Sequence, residues 1–270
     1  MPFYDAGDAA IFYEIHGNGP PLILLHGYAL NSVMWELNVP VLSGHFKVIT
    51  VDLRGFGQSS CGKEWSGSAM ADDVIGLIRE LELEDVTVTG FSLSGGSAVR
   101  TAYELPYVVI KMVLVSSILP SRGKPRPKKE EEYQAKEESI LRLRGVEAWA
   151  DAIGLRKGKL VDNIFKRNPD ARPVWDKIIA RHNPDYLLQM MQARKTSQSL
   201  IDWRSKLKDI KQKTLLVFGA QDKQFIDGAY HLDMAMPDTR LIIIKGAGHM
   251  VNLEKPEEFN NKIIEFLTRG

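Results

Sequence analysis

The chain has 270 residues, with 35 Lys and Arg against 34 Asp and Glu, for a formal net charge of +1. That length holds one α/β domain with an insertion, and the charge balance gives no general pull toward nucleic acid or an anionic membrane. One cysteine, Cys61, excludes an internal disulfide; no apolar run approaches the ~20 residues of a membrane span, and MPFYDAGDAA lacks a secretory leader's pattern, so a cytoplasmic protein is expected.

Ala10 to Ile15 reads as a strand that leads to a turn at His16–Pro20. Pro21 to Leu25 is a short continuous apolar run, the mark of a strand buried on both faces, and it ends at His26-Gly27-Tyr28. Val33 to Leu42 is expected to be a helix with Trp35 on its apolar side. Lys47 to Val51 is the next buried strand, ending in Asp52-Leu53-Arg54-Gly55-Phe56-Gly57. Met70 to Leu83 places Val74, Leu77, Ile78 and Leu81 at helical spacing.

Val86 to Val99 then reads VTVTGFSLSGGSAV. A β-branched strand gives way abruptly to small residues and a helix start. This is the context that lifts a serine, Ser92, above a sheet edge and aims helix N–H groups at the same point. A glycine-rich strand–helix turn can also cradle a phosphate or be a plain structural turn. There is no G-x-G-x-x-G and no P-loop lysine here. Partners elsewhere in the chain must decide. Val109 to Ser116 is a further strand.

From about Leu119 to Leu207 the strand rhythm stops. The run Lys124 to Lys129 reads as a solvated basic loop. Apolar residues then recur at helical spacing: Ile140, Leu141, Leu143, Val146, Trp149 and Ala150, then helices at Leu160–Lys166, Pro173–Arg181 and Tyr186–Arg194. Its Trp and Met residues read first as core, and second as the wall of a pocket. The sheet resumes at Thr214–Phe218, ending in Gln221-Asp222. A helix at Asp227–Met236, a strand at Arg240–Ile244 ending in Gly248-His249, and a closing helix from Pro256 complete the chain. Strands alternating with helices predict a doubly wound, mostly parallel α/β sheet, with ligands at the carboxyl ends of its strands.

The order Ser92, Asp222, His249, each after a buried strand, resembles the α/β-hydrolase superfamily. So do LLHGY at 24–28, DLRGFGQS at 52–59, GFSLSGG at 90–96, FGAQD at 218–222 and GAGHMVNLEKPEEF at 246–259. The resemblance covers nearly the whole chain. It implies an α/β-hydrolase core in 1–118 and 208–270 and a helical cap in 119–207. It implies Ser92 as nucleophile, His249 as base and Asp222 as its orienting acid. Asp227 is a substitute acid by position, but it reads first as the cap that starts its helix. The oxyanion hole is then the backbone N–H of Tyr28 and Leu93. Side chains expected to touch substrate are Tyr28, Trp149 and Met190. Asp52, Arg54 and Gly57 read as a loop-locking network, His26 as a structural brace, and Cys61 as an incidental thiol. Ser94 stands where the family usually has glycine, which opens a second register with Ser94 as nucleophile. Lys213 replaces a frequent proline at a strand entrance.

The implied reaction is hydrolysis of a small to medium, apolar carboxylic ester or lactone through an acyl-enzyme, with no metal or organic cofactor. Its partner is that small molecule, with neither nucleic acid nor membrane. A carbon–carbon bond hydrolase or perhydrolase on the same triad, and a hydrolase-fold receptor for a small molecule, are the alternatives.

Overall fold

The computed structural model describes residues 3–117, 119, 128–196 and 203–269. Eight strands form one sheet in the order β1-β2-β4-β3-β5-β6-β7-β8. They are β1 (Phe3–Asp5), β2 (Ala10–His16), β3 (Pro21–Leu25), β4 (Lys47–Val51), β5 (Val86–Phe91), β6 (Val109–Val115), β7 (Lys213–Gly219) and β8 (Thr239–Ile244). From β4 to β8 all neighbours run parallel, while β2 pairs antiparallel with both β1 and β4. The edge strand β1 is short and lies outside the strands expected from hydropathy. Three residues with an exposed–half-buried–exposed pattern carry too little apolar signal.

The central strands match their composition. Leu22–Leu25 and Val86–Phe91 are buried throughout, so each large apolar side chain contributes about 1.5–3 kcal/mol by leaving water. Helices connect them: α1 (Val39–Leu42), α2 (Gly67–Glu80), α3 (Gly95–Glu104), then α4 (Lys128–Ala152), α5 (Lys159–Arg167), α6 (Ala171–Ala180) and α7 (Pro184–Thr196) between β6 and β7, and finally α8 (Ile226–Ala235), α9 (Val251–Glu254) and α10 (Pro256–Arg269). Among the described residues no helix is long and apolar enough to cross a membrane.

Three local expectations need correction. The single helix over Val33–Leu42 is instead a 3-10 turn at Ser32–Trp35 and the short α1. Pro40 lacks the N–H that a continuous helix needs and would crowd the carbonyl of residue 36. In α4, Gly145 has φ +79° and breaks the helix, so 140–150 is not one continuous apolar face; Leu143, two residues past the buried Leu141 and hence on the opposite side of its turn, stands 80% exposed. Asp227 does not cap α8; the N-cap is Phe225, and Asp227 sits within the first turn. The loop reading of Lys124–Lys129 falls mostly outside the described residues; Lys128 and Lys129 open α4.

Candidate active site

Three strand ends build the site. Ser92 follows β5 directly, at φ +50°, a backbone region that costs a non-glycine residue about 1–3 kcal/mol. The chain then makes a 3-10 turn, Ser92–Ser94, and enters α3. The turn folds back so tightly that a Cβ on Gly90 would come within 2.8 Å of the Ser94 carbonyl oxygen and 2.9 Å of the Ala98 Cβ. Glycine is therefore required before the serine, and the strain at Ser92 is held by packing on both sides.

Asp222 follows β7 and His249 follows β8, and backbone hydrogen bonds tie the two loops. Ala220 N–H donates to Ile244 O and Gln221 N–H to Ala247 O, each at 2.9 Å. His249 Nδ1 lies 2.7 Å from Asp222 Oδ2, and Nε2 lies 3.2 Å from Ser92 Oγ. A carboxylate can only accept, so Nδ1 carries the proton and Nε2 is left to accept from the Ser92 hydroxyl. The imidazole is held between the rings of Phe225 and Phe91, with centroids 4.4 and 5.2 Å away. Asp222 is 7% exposed, which shields its bond to His249 from competing water.

Ser94 is placed otherwise. It is fully buried, its Oγ accepts from Phe91 N–H at 2.9 Å, and its hydroxyl faces the carbonyls of Phe91 and Leu25. Those bonds occupy the hydroxyl inside the elbow and leave it no path to His249. A serine here does what a glycine could not: it pins the end of β5 to the turn.

The Gly27–Tyr28 loop lies against the serine. A Cβ on Gly27 would stand 3.4 Å from Ser92 Cβ and 2.9 Å from the Phe91 ring, so only glycine lets this backbone approach so closely. Leu93, second in the 3-10 turn, has no partner for its N–H within that turn. The Tyr28 ring packs edge-on against Phe56 and Trp65, and its hydroxyl accepts from Arg194 Nη1 at 3.2 Å. Burial, with the nearby Glu137 carboxylate, pushes the Tyr28 phenol up to about 12, so it stays protonated.

Two buried histidines hold the loops beside the serine. Leu53 N–H donates to His26 Nε2 at 2.8 Å, so His26 Nδ1–H donates to Gly27 O at 2.7 Å. Gly57 N–H donates to His182 Nδ1 at 3.0 Å, and His182 Nε2–H then donates to Ala29 O at 3.2 Å. Each ring uses one nitrogen as acceptor and must be neutral. Burial pushes both down to about 4. Asp52 accepts from Ser32 N–H and Gln58 N–H, whereas Arg54 forms a forked pair with Asp73. The two residues expected to lock one network thus lock two adjacent loops. Trp149 is buried edge-on against His182, and Met190 is buried against the backbone of Gly55.

Sequence reading missed one group of contacts. Glu254, in α9, accepts from Gly248 N–H at 2.7 Å and from Met250 N–H at 3.1 Å, on either side of His249. Arg167, at the end of α5, reaches Glu254 Oε2 at 2.5 Å and also bonds the Gln221 side chain beside Asp222. Glu254 lies within the NLEKPEEF stretch, which marks it; Arg167 has no motif at all.

Residues 22–262 match the alpha/beta hydrolase family. An AB hydrolase superfamily protein of Bacillus subtilis, YisY, is 30% identical over 278 residues, covering 95% of this chain and 94% of the relative. The pimeloyl-acyl-carrier-protein methyl ester esterase of Nitrosomonas europaea is 30% identical over 256 residues, covering 93% of this chain and 97% of that protein. Among solved structures, a thermophilic esterase from Thermogutta terrifontis superimposes with a TM-score of 0.79 at 24% identity, over 97% of this chain and 94% of that one.

Proposed function

The chain belongs to the alpha/beta hydrolase family, and from that premise we propose that it is a serine hydrolase of a small to medium, apolar carboxylic ester or lactone. The observation that carries the reading is the row Ser92 Oγ, His249 Nε2, His249 Nδ1, Asp222 Oδ2, with links of 3.2 and 2.7 Å at a strained strand–helix turn. His249 takes the Ser92 proton as Oγ bonds to the substrate carbonyl carbon. The carbonyl oxygen becomes an oxyanion that accepts from the Tyr28 and Leu93 N–H groups; each such donor is worth about 10²–10³ in rate. The C–O bond to the leaving alkoxide breaks, and His249 returns its proton to that oxygen. Water, deprotonated by the same imidazole, then releases the acid and restores Ser92. Asp222 holds the tautomer and stabilises the imidazolium throughout.

Residues 119–207 serve as a cap over this site, with the core in 1–118 and 208–270, and the protein works in the cytoplasm. Tyr28, Trp149 and Met190 are the side chains assigned to the substrate, Trp149 packed on His182 and Met190 on Gly55. The esterase among the 30%-identical relatives supports ester chemistry. The test is release of p-nitrophenol from acyl esters of increasing length, beside a panel of simple lactones, by wild type and Ser92→Ala. Turnover by wild type and loss in folded Ser92→Ala is expected. Undiminished turnover by Ser92→Ala would sink the assignment.

A further inference from the structure

We propose that Arg167 is a positioning residue that couples seating of the cap to alignment of His249 and Asp222. The inference rests on the serine-hydrolase reading and deepens it. Glu254 is the hub. Its side chain is fully buried and accepts from the backbone on both sides of His249, so it sets the height and tilt of the imidazole from below. A buried carboxylate with only two backbone donors is poorly compensated. The third donor is the Arg167 guanidinium, 19% exposed, which comes from α5 in the inserted helices, 87 residues away in sequence. The same guanidinium bonds the side chain of Gln221, the residue before Asp222. One cap side chain therefore touches the supports of both loops that carry the His249–Asp222 pair. Its neighbour Asn168 adds a hydrogen bond from Nδ2–H to Leu253 O at 2.6 Å, which docks the end of α5 onto α9.

The forked shape matters. An arginine presents donors in a fixed plane and can serve two acceptors at once, which a lysine ammonium on a flexible stem does less well. When α5 lifts from α9, Glu254 loses its cation and Gln221 loses its tie together. The base and its acid then relax, and a displacement of about 1 Å at such groups costs on the order of 10²-fold in rate. Seated, the cap completes the catalytic row; lifted, it leaves the serine without an aligned base, so turnover is confined to the closed enzyme.

The test compares wild type, Arg167→Ala, Arg167→Lys and Arg172→Ala. Arg172 is the control: it is on α6 and stacks on Phe165 at 4.1 Å. Kinetics use p-nitrophenyl butyrate, with folding checked by circular dichroism. Proton NMR of the resting protein follows the low-field signal of the His249 Nδ1 proton, which reports its bond to Asp222. A groove of about 600 Å³ lined by Arg167, Glu254 and Lys255 opens beside the pair, so free guanidinium can be added back. Expected for Arg167→Ala are a folded protein, kcat down 10- to 100-fold with KM within about threefold, a broadened or shifted low-field proton, and partial recovery of both with millimolar guanidinium. Arg167→Lys should fall between, and Arg172→Ala should match wild type.

A folded Arg167→Ala with unchanged kcat and an unchanged low-field proton overturns the coupling. So does a loss confined to KM. If Arg167→Ala does not fold, Arg167→Lys decides by the same two readouts. If wild type hydrolyses no ester, the hydrolase reading fails, yet the NMR comparison still decides whether Arg167 positions His249.

Discussion

The strand ends of the sheet and the inserted helices solve different problems. At the strand ends, local chemistry dictates much of the geometry: Gly90, Ser92 and Ser94 build the elbow within five residues, chiefly through contacts inside the turn, with Ser94 also facing Leu25 O. The inserted helices have no such local code. They share one buried apolar cluster with the core, Met190 packing on Gly55, and are registered on it by long-range polar contacts: His182 to Gly57 and Ala29, Asn31 Nδ2–H to Ile178 O at 2.8 Å, Arg194 to Tyr28, and Arg167 to Glu254. The nucleophile's turn is shaped by neighbours in sequence, although its partners His249 and Asp222 arrive from two other strand ends. Control of the site sits where distant segments meet.

The largest effect should come from the strand-end side. Ser92→Ala should lower kcat on the order of 10⁴–10⁶-fold and Asp222→Asn about 10⁴-fold, each with little change in Tm. A large fall in Tm would mean that these residues serve the fold, and would erase the division between the regions.

The next test strikes the junction. Folding keeps His26 and His182 neutral, with values pushed from 6.5 down to about 4 by burial. Below about pH 6.5 the unfolded chain takes up protons that the folded chain refuses. The stability from each neutral ring is fully present above that pH. It is lost as pH falls toward 4, by about 3 kcal/mol per histidine. Urea midpoints at pH 7 and pH 4.5 should show this. His182→Gln should be less stable at pH 7 but flatter across the interval; an equal slope would remove His182 from the account.

Ser94→Ala sharpens the elbow itself. It strands the buried Phe91 N–H and should cost about 1–2 kcal/mol while ester turnover persists. Turnover lost in a folded Ser94→Ala would return Ser94 to candidacy as nucleophile.

The smallest effect reads the seat of the inserted helices without altering the site. Cys61 lies in a core loop under α7, where its N–H donates to Gln189 Oε1 at 3.3 Å, and burial pushes its thiol from 9.0 up to about 12. At pH 8 its thiolate fraction is then about 10³-fold below that of a free thiol. Native protein should react slowly with a disulfide reagent, and Gln189→Ala, which loosens that contact, should react several-fold faster. Fast labelling of the native wild type would mean that this junction is open in solution.

The elements with strong, continuous patterns were legible in the chain itself. Five buried parallel strands and the helical insertion follow from hydropathy and spacing, because each element is encoded by residues close in the chain, whereas the roles of Ser92, Asp222 and His249 were implied by the resemblance of their order and flanking motifs to the α/β-hydrolase superfamily. The broken helix around Pro40, the kink at Gly145 and the edge strand Phe3–Asp5 were not, since a period count averages over breaks and passes over three-residue strands. Only the tertiary structure decided that Ser94 is spent on Phe91, that His182 braces Gly57 and Ala29, which partners make the expected brace His26 neutral, and that Arg167 reaches Glu254. The reason is physical. Hydropathy reports whether a residue leaves water, whereas the partner of a buried polar atom is chosen by segments that the fold brings together from far along the chain.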